Sequence, residues 1–293
     1  MRQKRSLAWL AFIIPLLLAV AILYFMLFWT FYISCSNWRG TAPNYQFVGL
    51  KWYQMMFRLD RFWIDLQNNL KWILLGVFPT LFVALLLAYL LELAQKKKLE
   101  LYVRTLILYP AAMSFIVTGT IWSWMYQPDK GVINTLLTSL GLEGLKSTFT
   151  TNPGMATYWL ILIFFWQFLG LAVIILQASF RTSELESMIE SALVDGASRM
   201  RILFQIIVPN IRGGLLMVGC LLFISALKVF DIVYIVTFGG PGYSSDVLAF
   251  FMYIATFQQH LVSLGAGLSV IIFFVAFIVV VPYTIYAFRR WFA

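Results

Sequence analysis

The chain has 293 residues, of which 62% are hydrophobic and 11% are charged, and its mean hydropathy is +0.87. A soluble domain is roughly 45–50% apolar and about 25% charged, so this composition excludes a water-soluble globular protein and indicates a membrane protein. The formal net charge of +9 does not indicate nucleic-acid binding, because the basic residues lie at the ends of apolar runs, where membrane orientation places them.

Six apolar stretches are long enough to cross a bilayer, and they cover residues 9–33, 70–94, 104–126, 156–180, 213–238 and 264–288. Each has the length of about 20 residues that a transmembrane helix needs. The chain is therefore predicted to be an all-α polytopic membrane protein with a single transmembrane domain over residues 1–293. The first stretch lacks a small-residue cleavage site, so we interpret it as an uncleaved span and not as a signal peptide.

Basic residues are divided unequally between the two sides of the predicted bundle. Thirteen lie at the termini and in the connections that follow the second and fourth stretches, against six in the other connections. Because cytoplasmic segments are enriched in Lys and Arg, we expect both termini and the polar loop at 181–212 to be cytoplasmic.

The polar loop at 181–212 has the pattern of a helix, a glycine turn and a second helix. Ser183 and Glu186 have the spacing of a capping box. Gly196 suits the left-handed turn that ends a helix, and Pro209 is expected to close the segment. Apolar residues at helical spacing precede and follow the glycine, namely Leu185, Met188, Ile189, Ala192 and Leu193, then Met200, Leu203, Phe204 and Ile207.

The residues of this loop also stand in a familiar order: Glu190-Ser191-Ala192, then Asp195-Gly196-Ala197-Ser198, then Ile206 and Pro209. This order resembles the EAA loop of binding-protein-dependent ABC importer permeases, in the branch of the maltose, glycerol-phosphate and multiple-sugar permeases. Ser191 stands where that family has Ala, and Val208 stands where it has Leu.

In that family the EAA loop is a cytoplasmic coupling helix that fits a groove on the ATP-hydrolysing subunit. The resemblance therefore implies coupling roles for six residues: Glu190, Ser191, Ala192, Asp195, Gly196 and Pro209. From the residues alone, an amphipathic hairpin lying on the membrane surface is the alternative.

Predicted external segments carry further resemblance to sugar permeases. Residues 47–53 read FVGLKWY, and Asn68-Asn69 follows, as in the first external segment of that family. Residues 229–242 read VFDIVYIVTFGGPG, which resembles the family signature at the outer end of the fifth span.

Nothing in the sequence predicts catalysis, a metal site or a cofactor. A phosphate-binding P-loop needs Gly-Lys-Ser/Thr, and the dipeptide Gly-Lys does not occur in the chain. His260 is the single histidine, and Cys35 and Cys220 have no metal-ligand spacing. We therefore expect a chain that is not an enzyme, with ATP and Mg²⁺ held by a partner ATPase.

Ionisable residues inside the fifth stretch are the candidates for a substrate path. Lys228 and Asp231 are three residues apart, so a continuous helix would place them on one face, where they can pair. Charges inside spans usually face the protein interior or a water-filled path, and Tyr234 lies one turn further on. A purely structural ion pair is the alternative. Aromatic and amide groups suited to a hydroxyl-rich ligand add Trp166, Gln167 and Tyr253.

These observations predict the permease subunit of an ATP-driven importer of a sugar or a related polyol or glycoside, working by alternating access. The resemblance implies a second, similar permease, two ATPase subunits, an extracytoplasmic solute-binding protein and the inner membrane of a bacterial or archaeal cell. An ion-coupled secondary transporter is the alternative, although such proteins usually carry several carboxylates in their spans. A membrane-embedded enzyme is a weaker possibility, because no catalytic cluster is visible.

Overall fold

The computed structural model describes residues 2–93, 97–180 and 183–291, and these form helices joined by loops. An isolated antiparallel bridge joins Ser36 and Phe47. The α-helices are α1 (Arg2–Ser34), α2 (Lys51–Phe57), α3 (Asp60–Lys71), α4 (Phe78–Leu93), α5 (Lys97–Leu108), α6 (Phe115–Met125), α7 (Val132–Ser139), α8 (Ala156–Phe180), α9 (Ser183–Val194), α10 (Arg199–Arg201), α11 (Val208–Asn210), α12 (Arg212–Leu227), α13 (Asp231–Val236), α14 (Leu248–Tyr253) and α15 (Val262–Trp291).

Shorter helical stretches of other types complete the secondary structure. Six-residue or five-residue π-helices occur at Trp72–Val77, Ile202–Ile207 and Ile254–Gln258, and 3₁₀ turns occur at Tyr109–Ala112, Glu143–Leu145 and Phe149–Thr151. π-Helices are rare in proteins and frequently mark functional sites.

Among the described residues, four helices are long and apolar enough to cross a membrane, or six segments if each of two bent helix pairs is one span. The four are Ile13–Ser34, Asp60–Leu93, Ala156–Phe180 and Val262–Pro282. The predicted class of all-helical polytopic membrane protein is confirmed, and the six-span topology stays a prediction. The fourth predicted span, 156–180, has the same bounds as α8.

The third predicted span, 104–126, is not one straight helix. Leu101–Ala112 and Phe115–Met125 meet at an angle of 100°. The bend has a local cause, since Pro110 lies in the 3₁₀ turn and Ser114 Oγ caps α6 by accepting from Val117 N at 3.3 Å. Apolar content alone does not predict this break, because the residues before and after it are similarly apolar.

The fifth predicted span, 213–238, is also interrupted. Helix α12 ends at Leu227, and α13 begins at Asp231 after a Phe230 with φ −138° and ψ −57°. The prediction that Lys228 and Asp231 share the face of one helix is therefore wrong. A lysine after the last turn and an aspartate in the first turn each complement a helix dipole, so these residues act as a stop signal and a start signal.

The chain divides into two compact units, and the first comprises the residues up to Phe62 together with Phe251–Val275. Its polar contacts join the end of α1 to the start of α15. Ser263 Oγ lies 3.0 Å from Ser36 Oγ and accepts from Trp38 N at 2.9 Å. The indole of Trp52, 1% exposed, donates to Ser36 O at 2.7 Å, which fixes α2 on the same loop.

The second unit comprises residues 63–250 and the chain from Ala276 onward. Helix α8 runs through its centre, with Leu160, Ile163, Val173 and Leu176 fully buried. Gly170 of α8 allows a close approach to α5, because a Cβ at this position would collide with the carbonyl oxygen of Ile107. The residues that carry the candidate site belong mostly to this unit.

Candidate functional site

A cavity of about 260 Å³ lies at the interruption of the fifth predicted span. Its wall is mainly apolar, with aromatic and aliphatic side chains, and Ser225, Lys228 and Asp231 are its polar members. The aromatic residues are Phe115, Phe164, Phe168 and Phe230. The interruption therefore places an amine, a carboxylate and a hydroxyl beside phenylalanine faces in one space.

The two charged residues of this cavity line it without pairing. Lys228 is exposed and Asp231 is half-buried. Within the part of the chain that the structure describes, neither forms an ion pair or a side-chain hydrogen bond. The alternative of a structural Lys228–Asp231 pair thus lacks the contact that it requires, and both groups are available to a ligand.

The other predicted path residues of this unit lie in different surroundings. Tyr234 stacks on Phe230 with ring centroids 5.3 Å apart, outside the cavity lining. Trp166 is half-buried against Trp122, with ring centroids 5.6 Å apart. Both therefore belong to aromatic clusters, and that of Tyr234 adjoins the interruption through Phe230.

Gln167 supports the bend of the third predicted span. It is 4% exposed, and its Nε2 donates to Pro110 O at 2.7 Å and to Met113 O at 3.0 Å. Its Oε1 accepts from Thr118 Oγ1 at 2.5 Å. Both donor hydrogens of the amide are occupied, so the structure gives Gln167 a bracing role that the sequence pattern did not indicate.

Tyr253 belongs to the first unit. It is half-buried and packs on Phe257, with ring centroids 5.5 Å apart. Its assignment to a substrate path stays a prediction.

The sequence patterns left Asn68 and Asn69 without a role, and the structure gives them a dense set of contacts. Their side chains are 1% and 2% exposed. Asn68 Nδ2 donates to Ser244 O and to Asp246 O, each at 2.9 Å, and its Oδ1 accepts from Lys71 Nζ at 3.0 Å. The signals in the sequence are the resemblance of Asn68-Asn69 to the family's first external segment and the position of two adjacent amides at the start of an apolar run.

The second asparagine reaches the interruption itself. Asn69 Nδ2 donates to Leu227 O at 3.2 Å, and its Oδ1 accepts from Leu248 N at 3.0 Å. Leu227 is the last residue of α12 and Leu248 the first of α14. One side chain thus joins two helix ends.

The predicted coupling loop contains the helix, turn and helix expected from its pattern, although its residues 181 and 182 lie outside the described part of the chain, as do the side chains of Ser183 and Glu186. Gly196 has φ +74°, and Ala197 N donates to Ala192 O at 2.9 Å. This is the Schellman ending of a helix. Ser198 then caps α10, with its Oγ accepting from Arg201 N at 3.3 Å.

Pro209 lies one residue before the end of α11, and the chain turns at Ile211, with φ −94° and ψ 18°. The following bend between Arg199–Asn210 and Arg212–Leu227 is 78°. Proline has no N–H to donate to the preceding turn, and the π-helix Ile202–Ile207 directly precedes this turn. The proline therefore lies in an irregular helix, close to its end.

The first helix of the loop presents a shallow groove of about 340 Å³, lined by Ser187, Met188, Ser191, Ala192, Asp195 and Ile206. Glu190 is exposed beside it. Large apolar side chains are exposed on the same loop, with Val194 88% and Met200 60% exposed. Apolar side chains in such positions indicate a protein or membrane contact.

The second half of the loop is anchored in its own unit. Ile202, Leu203 and Ile207 are at most 1% exposed. The hydroxyl of Tyr89 in α4 donates to Arg199 O at 3.0 Å. A displacement of this loop would therefore be passed to α4 through the hydrogen-bonded joint at Tyr89.

Fold and site together define a class of helical membrane protein with a polar interruption in one predicted span and a loop that exposes apolar side chains. The family of binding-protein-dependent transport system inner membrane components matches residues 77–292. The chain belongs to this family. Among the described residues, no three or more His, Cys, Asp or Glu side chains lie close enough together to hold a metal ion.

Relatives extend over nearly the whole chain. A probable ABC transporter permease protein of Pyrococcus horikoshii, PH1215, is 40% identical over 291 residues, which is 99% of each chain. The xylose/arabinose import permease protein XacH of Haloferax volcanii is 30% identical over 94% of this chain and 86% of its own. The glucose import system permease protein GlcT of Saccharolobus solfataricus is 27% identical over 94% of this chain and 95% of its own.

A solved structure shares the fold. A chain in the crystal structure of a bacterial alginate ABC transporter, in complex with an alginate pentasaccharide-bound periplasmic protein, matches with a TM-score of 0.82. It is 21% identical and covers 96% of this chain and 93% of its own.

Proposed function

We propose that this chain is the permease subunit of a binding-protein-dependent ABC importer for a sugar or a related polyol or glycoside. Membership of the family carries the transport role, and the names of the glucose and xylose/arabinose relatives support the substrate class. The chain itself has no P-loop, so ATP hydrolysis belongs to a partner subunit.

Six spans with both termini and the loop 181–212 in the cytoplasm are the proposed topology. The excess of basic residues on that side supports it. The bent pair Leu101–Ala112 and Phe115–Met125 would supply one span beyond the four long ones, and α12 with α13 would supply the other. A second permease, two ATPases and an extracytoplasmic binding protein complete the proposed complex in the inner membrane.

The translocation path is proposed to pass through the cavity at the interruption of the fifth span. Lys228 and Asp231 can each hydrogen-bond a hydroxyl-rich ligand, because neither side chain forms a hydrogen bond or an ion pair with another of the described residues. The phenylalanine faces beside them suit the apolar face of a sugar ring. This cavity is the single observation that best supports a path within this chain.

Coupling to the ATPase is proposed to use α9 and the glycine turn. Glu190, Ser191, Ala192 and Asp195 form or border the exposed groove, Gly196 permits the turn, and Pro209 maintains the irregular helix that follows. Closure of the ATPases would move α9, and the joint at Tyr89 would carry that movement into the spans.

The test is copurification followed by transport. The tagged chain is extracted in mild detergent, and the eluate is assayed for a second permease and for ATPase activity. The reconstituted complex should then import a labelled monosaccharide or glycoside only with ATP and the binding protein present. A chain that elutes alone and transports under an ion gradient without ATP would refute the proposal.

A further inference from the structure

The asparagine pair Asn68–Asn69 is placed to control the interruption of the fifth span. In a continuous helix Leu227 O would accept from the N–H four residues later. The chain departs from helix at residues 228–230, and that donor is lost. Asn69 Nδ2 replaces it, at 3.2 Å from Leu227 O.

The same side chain satisfies a second helix end. The first N–H groups of any helix lack partners within it, and Leu248 N at the start of α14 donates to Asn69 Oδ1 at 3.0 Å. Unsatisfied backbone groups are costly at membrane depth. Asn69 therefore stabilises the broken form of the span over a continuous one.

Asn68 secures the other end of the same segment. It holds the carbonyls of Ser244 and Asp246, each at 2.9 Å, and Thr157 Oγ1 also donates to Ser244 O at 2.7 Å. The chain from Lys228 to Leu248 is thus attached at both ends to two neighbouring residues of α3.

We propose that Asn68 and Asn69 form an asparagine clamp that positions the interruption, and with it Lys228 and Asp231, for passage of the ligand. The proposal rests on the proposed function, because it assigns the clamp to the translocation path. The two asparagines are positioning residues, since they line no part of the cavity.

The chain offers a matched control. Asn134 is 4% exposed, and its Nδ2 donates to Pro128 O at 2.8 Å and to Ser147 O at 2.9 Å. Its Oδ1 accepts from Ser147 N at 3.2 Å. Asn134→Leu therefore removes a similar buried amide network that does not touch the interruption.

The experiment measures how accessible the cavity wall is to a water-soluble reagent. Cys35 and Cys220 are replaced by Ser, Ser225→Cys is introduced in the cavity wall, and its rate of reaction with a water-soluble thiol reagent is recorded in the assembled complex. Asn69→Leu removes two buried hydrogen bonds, and the loss of each shifts an equilibrium by about fivefold. The substitution should therefore change the labelling rate by about fivefold or more and lower ATP-driven uptake by about tenfold. Asn134→Leu should leave the labelling rate within about twofold of the parent.

Asn68→Asp is a second variant that preserves size. It loses the donor to both carbonyls but keeps an acceptor for Lys71, and it should also change the labelling rate. Unchanged labelling in both clamp variants, or the same change in Asn134→Leu, would overturn the clamp.

The outcomes also separate the clamp from the path. If clamp variants alter labelling while Lys228→Met and Asp231→Asn import normally, the clamp still positions the interruption and the assigned path is wrong. If Lys228→Met and Asp231→Asn abolish uptake while both clamp variants label and transport like the parent, the path stands and the clamp is refuted.

Discussion

Lys228 and Asp231 show how one pair of residues can be interpreted in two ways. At a spacing of three they suggest a salt bridge on a helix face, yet in the structure they flank a gap between two helices. A basic residue after one helix and an acidic residue at the start of the next are also boundary signals. Both charges end up beside a cavity because the chain breaks between them.

Removal of either charge should impair uptake with little effect on assembly. Lys228→Met and Asp231→Asn each remove a group that can bond the ligand, and the loss of one charged hydrogen bond corresponds to about tenfold or more in binding. The initial rate of ATP-driven uptake in proteoliposomes is the measurement. Lys130→Met, at an exposed position that is predicted to be external, is the control, and wild-type rates in both cavity variants would remove these residues from the path.

Helix α8 illustrates how closely an apolar run can define an element, whereas α6 and α13 illustrate where this fails. The run 156–180 ends in polar or glycine-containing loops, so its bounds are sharp. The run 104–126 is also mainly apolar, but the 100° bend depends on Pro110, on the Ser114 cap and on Gln167 from another helix. The last of these contacts is long-range, and no local pattern contains it.

The candidate site also combines features that local sequence determines with features that depend on long-range contacts. The glycine turn at residue 196 is local chemistry and was predictable, as was the polar character of residues 228 and 231. The contacts of Asn69 with Leu227 and Leu248 join residues about 160 and 180 positions apart. Periodicity carries no information about such contacts.

The packing of α8 on α5 should depend on Gly170. Gly170→Ala places a Cβ against the Ile107 carbonyl, which the backbone must move to accommodate, at a cost of about 1–3 kcal/mol. The temperature at which half of the purified complex aggregates should fall by several degrees. Gly219→Ala is the control, because its Cβ would meet nothing closer than Leu81 Cδ2 at 4.0 Å, and equal effects of the two substitutions would contradict the expected collision.

The turn of the coupling loop should depend on backbone conformation alone. No atom lies within 4 Å of the position of a Gly196 Cβ, yet its φ is +74°. Gly196→Leu should therefore strain the turn by about 1–2 kcal/mol and uncouple ATP hydrolysis from uptake while the protein still reaches the membrane. Gly196→Asn should retain most coupling, since asparagine tolerates this conformation. The ratio of transported ligand to ATP hydrolysed is the measurement, and an unchanged ratio in Gly196→Leu would exclude this role.

At the scale of the whole molecule, the charge distribution predicts which surfaces face the cytoplasm. In a background with Cys35 and Cys220 replaced, Lys130→Cys should react with a membrane-impermeant maleimide in intact cells, because its loop is predicted to be external. Ser191→Cys, exposed on α9, should react only after the membrane is permeabilised. Labelling of Ser191→Cys in intact cells would invert the proposed topology and would separate the coupling loop from any cytoplasmic ATPase.

The contact between α6 and α13 determines which helices would move together when α12 rotates. Gly119 of α6 brings the two helices together, and a Cβ at this position would lie 3.1 Å from Ile235 Cγ2. Helix α13 therefore packs closely on α6. Three non-helical residues, 228–230, join α13 to α12. Torque applied at the end of α12 that is predicted to be cytoplasmic would be absorbed by backbone rotation at residues 228–230, and α13 would turn together with α6.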